Sequence, residues 1–170
     1  MKKLSVLIAG LVFGAAVSAQ ASTPKLLGEY NDWSAFYYQD GDNVVCYMAS
    51  SPQKDEGKYT KRGDIYVVIT HRPTENSFDV VNFVAGYTYK RDAKVEVKIG
   101  KTTIDKMFVD KDKAWAVSEK VDKQLVEAMK KGERMIVTGE SSRGTATKDT
   151  YSLSGFTAAY RAISAKCKKK

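Results

Sequence analysis

The chain has 170 residues, with 28 Lys and Arg against 20 Asp and Glu, one His and two Cys, and a formal net charge of +8. That length suits a single domain with a sizeable core, and a basic surplus favours anionic partners. One His and two Cys supply too few ligands for a zinc site, and no Gly-rich phosphate loop or acidic metal cluster offers a cofactor site, so neither metal nor cofactor is expected.

The N-terminus reads as a signal peptide. Lys2 and Lys3 supply a positive start, residues 4–17 are uncharged and largely apolar, and Ala19-Gln20-Ala21 puts small residues where a signal peptidase reads. Cleavage is expected after Ala21, with cleavage after Ala19 as the alternative, so 1–21 is signal and 22–170 a single β-sandwich domain. An apolar run of about 14 residues falls short of the roughly 20 that span a bilayer, and the mature chain holds no longer one. No transmembrane helix is therefore expected there. A lipid anchor needs a cysteine at the cleavage site, and the first one is Cys46. Export argues against nucleic acid as a partner and for lipid head groups, polysaccharide or an acidic protein. The terminal lysines Lys166, Lys168, Lys169 and Lys170 form a block that usually only solvates.

In an oxidising compartment an even cysteine count reads as a bridge. Cys46 and Cys167 lie 121 residues apart, unlike the adjacent pair of a catalytic dithiol. A structural disulfide is expected.

Taken in chain order, residues 33–38 form an aromatic-rich strand, and Asp40-Gly41-Asp42-Asn43 a turn. Residues 44–49 are apolar on both faces, which suits a doubly buried strand. Residues 50–62, with Pro52, Gly57 and dense charge, read as an exposed loop. Residues 65–70 and 78–84 form a central antiparallel hairpin broken by Pro73-Thr74-Glu75-Asn76. Residues 94–99 alternate, with Val95, Val97 and Ile99 inward. Strands then follow at 103–109 and 114–117. Residues 118–131 carry Val121, Leu125, Ala128 and Met129 at helical spacing between a Ser118 cap and a Gly132 stop. A last hairpin pairs 134–139 with 147–153. A second helix covers 156–166, with Ser154 as its N-cap and Cys167 continuing its inward face toward Cys46. About eight short strands argue for an antiparallel sandwich or barrel rather than a βαβ fold.

Several groups invite a chemical reading. Tyr30, Trp33, Phe36, Tyr37 and Tyr38 offer a carbohydrate or peptide platform, but strands favour aromatics and alternation sends about half of them inward. A Ser-His-Asp hydrolase would need His71, with Asp64 or Asp79 to orient it, yet no Gly-x-Ser-x-Gly elbow is present. A histidine at a strand end is ordinarily a partly exposed hydrogen-bonding residue. Arg62-Gly63-Asp64 spells an integrin-readable tripeptide, but Asp64 runs directly into a strand, which favours a plain turn. The tip holding Ser142, Arg143 and Thr145 is better exposed and suits an anion, with Gly144 serving the turn geometry.

The stretch Asp149-Thr150-Tyr151-Ser152-Leu153 leads through Ser154-Gly155 into Phe156-Thr157-Ala158-Ala159 and on to Cys167. With Asp32-Trp33, Cys46-Tyr47 and Ala114-Trp115-Ala116, it resembles the invasion-associated locus B family of exported bacterial proteins. The resemblance runs from about Tyr30 to Cys167. It implies an immunoglobulin-like antiparallel β-sandwich in the periplasm or at the cell surface, and it brings no catalytic residue. The expected function is an exported, non-enzymatic binding or interaction module of the envelope contributing to host-cell association, recognising its partner through residues 141–145 and 50–62. A structural or stress-related periplasmic protein supporting envelope integrity is the alternative.

Overall fold

The computed structural model describes residues 23–169; the signal-peptide reading lies outside them. Apolar alternation dictates strands along most of this length, and twelve of them assemble into two sheets. The first sheet holds seven strands: β1 (Lys25–Tyr30), β2 (Trp33–Asp40), β3 (Asn43–Ser50), β5 (Tyr66–Arg72), β6 (Ser77–Val84), β9 (Met107–Asp110) and β10 (Lys113–Ala116). Their order is β1-β2-β3-β5-β6-β10-β9. The second sheet has the order β4-β12-β11-β7-β8, with β4 (Lys54–Gly57), β7 (Glu96–Ile99), β8 (Thr102–Ile104), β11 (Arg134–Glu140) and β12 (Ala146–Ser152). Each neighbouring pair is antiparallel. Helix α1 (Glu119–Lys131) packs on β6, β8 and β10, and α2 (Phe156–Lys166) on β1, β2 and β3. The protein is therefore mainly β and sandwich-like, with two short helices.

The core lies where the inner sheet faces meet the helices. Met48, Val67, Ile69, Val81 and Phe83 from the first sheet join Val97, Ile99, Met135 and Tyr151 from the second. Trp33 ties the layers together. It is 1% exposed, packs edge-on against Phe156 at 4.9 Å, and donates its indole N–H to the Ser152 carbonyl at 3.0 Å. Alternation at 94–99 holds, with Val95, Val97 and Ile99 buried between exposed Lys94, Glu96 and Lys98. A disulfide joins Cys46 on β3 to Cys167 just past α2, across a Cα–Cα distance of 6.1 Å.

Four local expectations are corrected. The segment 50–62 is not wholly loop, because β4 pairs with the edge of β12. Residues 103–109 are not one strand: the chain crosses at Asp105-Lys106, so β8 joins one sheet and β9 the other. Ser118 does hold the N-cap position of α1, but its side chain makes no cap; its carbonyl alone receives the first helical N–H groups. The cap of α2 is Gly155, at φ +88, not Ser154. A Cβ at Gly155 would sit 1.8 Å from the Tyr30 carbonyl oxygen, so only glycine fits between α2 and β1. Ser154 instead accepts a hydrogen bond from the Asn31 side chain at 2.9 Å.

Candidate functional site

At one end of the sandwich, the segment after β4 meets the segment after β6 and the β11–β12 tip. Between them lies an open cleft of about 540 Å³, lined by residues 58–63, 86–88, 141–143, 145 and 147. Two glycines draw its walls together. The Gly63 N–H donates to the Gly86 carbonyl at 2.8 Å, and a Cβ on Gly86 (φ +70) would lie 2.4 Å from the Gly63 carbonyl. The third wall is anchored by Ser142, whose N–H donates to the Thr88 carbonyl at 2.8 Å. Ser141 organises the tip from inside. Its hydroxyl accepts from the N–H groups of Arg143 (3.3 Å) and Thr145 (3.1 Å), and its carbonyl accepts from Gly144 at 2.8 Å. Gly144, at φ +80, completes the turn.

The floor is Arg62. Its guanidinium makes a two-pronged contact with Asp149 at 2.7 and 2.6 Å and donates Nε–H to the Ala85 carbonyl at 2.7 Å. The rings of Tyr59 and Tyr87 flank it at 5.4 and 5.0 Å. Burial pushes the Asp149 carboxyl above its ordinary value, against the pull of Arg62. Both charges neutralise each other beneath the cleft. Above them the lining carries Lys58, Lys61 and Arg143, all exposed and without an ion pair among the described residues. It contains no carboxylate and no aliphatic side chain. Hydroxyls of Thr60, Thr88, Ser142 and Thr145 complete the lining. This arrangement attracts anions and offers polar groups that both donate and accept.

The residues read from the sequence distribute unevenly. Ser142, Arg143 and Thr145 all line the cleft, and the loop half of 50–62 forms the opposite wall. Arg62-Gly63-Asp64 is not a presented loop, since the Arg62 side chain is 3% exposed and Gly63 packs on Gly86. The aromatic group splits: Trp33 enters the core, whereas Phe36 and Tyr38 lie half-buried beside Tyr47 on the outer face of the first sheet. Tyr37 lies under Lys166, whose Nζ sits 4.1 Å from its ring centre. Tyr87, Thr88 and Thr147 were not legible as site residues, because only the tertiary fold brings 86–88 beside the tip.

His71 is corrected from partly exposed to fully buried. The β5–β6 ladder slips between Thr70 and Arg72, and Asp79 adopts φ +63 opposite the slip. The freed Asp79 N–H donates to His71 Nδ1 at 3.1 Å. The imidazole proton therefore sits on Nε2, facing the Ser164 hydroxyl at 3.2 Å as a donor. A base that activates serine needs a lone pair at that nitrogen. Burial further pushes His71 down to about 4. The Asp79 carboxylate is occupied by Tyr160, at 2.7 Å, and Lys169. Ser164, His71 and Asp79 thus form a structural network and not a nucleophile–base pair. Among the described residues, no group of His, Cys, Asp and Glu is placed to hold a metal, and no helix is long and apolar enough to cross a membrane.

No curated protein and no solved structure matches the chain. The profile of the invasion associated locus B (IalB) protein family does match, over residues 33–164, and this protein belongs to that family.

Proposed function

We propose that the protein is an exported, non-enzymatic interaction module of the bacterial envelope that binds an anionic surface component in the cleft between residues 58–63 and 141–147. One observation carries the reading: a concave site lined by Lys58, Lys61 and Arg143 contains no carboxylate, while its buried arginine is neutralised by Asp149. The family's description supports a role in association with host cells. Cleavage after Ala21 would release 22–170 as one domain into the periplasm or to the cell surface.

The test is binding of labelled mature protein to intact host cells and to isolated bacterial envelope. Combined Lys58→Ala, Lys61→Ala and Arg143→Ala substitution should weaken it by about tenfold or more, from exposed charges that each contribute modestly. The melting temperature should stay put. Binding equal to that of the unsubstituted protein would contradict the assignment.

A further inference from the structure

Three features of the cleft narrow the kind of anion it takes. The tip is closed to a compact phosphate: the N–H groups of Ser142, Arg143, Gly144 and Thr145 are all spent on Thr88 or Ser141. An anion nest needs such groups pointing outward. The cations are divided, with Lys58 and Lys61 on one wall and Arg143 on the other, so successive charges of an extended ligand are met better than one concentrated charge. Finally, pockets for drug-like ligands, and grooves that grip peptides, are built largely on apolar contact. This lining has no aliphatic side chain, and the only aromatic rings, Tyr59 and Tyr87, flank Arg62. An acyl chain or an apolar peptide side chain meets only those ring faces and the lysine stems, with no Val, Leu or Ile to pack on. Hydroxyls on both walls do match a ligand that is itself rich in hydroxyls, each group both donor and acceptor.

Resting on the reading of the cleft as an anion site, we propose that its ligand is an extended acidic polysaccharide, whose successive carboxylate or sulfate groups meet Lys58, Lys61 and Arg143 while its hydroxyls pair with Thr60, Thr88, Ser142 and Thr145. A cleft of about 540 Å³ falls within the ordinary range for ligand sites, so a short stretch of the chain occupies it and the rest passes out over the open ends.

Calorimetric titration of the mature protein tests this with defined probes: oligogalacturonate, a sulfated heparin-derived oligosaccharide, polyglutamate of matched charge, inorganic phosphate and neutral dextran. At least one acidic oligosaccharide should bind about tenfold or more tightly than polyglutamate, phosphate or dextran, a difference of about 1.4 kcal/mol. Preference between the first two identifies carboxylate or sulfate as the recognised group. Lys58→Ala, Lys61→Ala and Arg143→Ala should each weaken binding about two- to fivefold. A charge-matched control, Lys98→Ala with Lys101→Ala and Lys120→Ala, removes exposed lysines away from the cleft and should change affinity by less than about twofold. Polyglutamate or phosphate binding as tightly, with the same loss on cleft substitution, would overturn the polysaccharide and leave the anion cleft standing. No binding by any acidic probe, or equal losses from cleft and control substitutions, would overturn both.

Discussion

Arg62 and Arg143 lie on the same cleft with opposite duties. Arg62 is held by Asp149, Ala85 and two tyrosine rings, so Arg62→Ala strands a buried carboxylate. That substitution should cost about 3–5 kcal/mol in urea unfolding, whereas Arg143→Ala should stay within about 0.5 kcal/mol. Equal stability of the two variants would contradict the division. A second residue-level prediction concerns pH. Burial pushes His71 down to about 4 from 6.5, and Asp122, which accepts the Val81 N–H at 2.9 Å, up to about 6 from 3.8. An unfolded histidine takes its proton near 6.5 while the folded one resists until about 4, so His71 lowers stability as pH falls through that window. Asp122 has the opposite sign: it takes its proton near 6 when folded but near 3.8 when unfolded, so acidification through that range stabilises. The two contributions oppose each other between about pH 6 and pH 4. Asp122→Asn keeps the acceptor and removes the titration. The variant should be more stable than the wild type at pH 7, and should lose that advantage by about 1.4 kcal/mol per pH unit below pH 6. Parallel stability curves for the two proteins would contradict the assignment.

At the scale of elements, α2 depends on its entry and its exit. Gly155→Ala forces a side chain onto the Tyr30 carbonyl at φ +88, and should destabilise by more than about 2 kcal/mol, detected by thermal melting. An unchanged melt would show that β1 and α2 are not docked as described. The elements also show what a sequence can reveal. Val95, Val97 and Ile99 alternated plainly because one face of β7 is core and the other solvent. β4 was hidden because Lys54-Asp55-Glu56-Gly57 is an edge strand whose charge discourages further pairing and leaves no apolar stripe. The crossing at Asp105-Lys106 was hidden for another reason: no Gly or Pro marks the point where the chain leaves one sheet for the other. At the site, Gly144 advertised the tip through local turn chemistry. Its facing wall showed locally only as a charged loop around Gly57; that the two walls meet had no local signal, since Arg62 and Asp149 are 87 residues apart.

Across the whole molecule, the Cys46–Cys167 bridge closes a loop over most of the described chain, with residues 23–45 outside it. In the chain-entropy account a loop of that length contributes up to about 4–5 kcal/mol. Reduction should therefore lower unfolding stability by several kcal/mol, and denatured, unreduced protein should offer no thiol to a labelling reagent. Two reactive thiols would contradict the bridge. The bridge anchors the end of α2 to the first sheet, and the two sheets in turn hold the cleft walls on separate strand ends. The claim that this cleft is the recognition site is tested most directly by following the backbone amide signals of the mature protein in a two-dimensional ¹H–¹⁵N spectrum during titration with oligogalacturonate and the sulfated oligosaccharide. Shifts should concentrate at residues 58–63, 86–88 and 141–147. Shifts concentrated on the lysines of α1 and the C-terminal tail, or none at all, would contradict it.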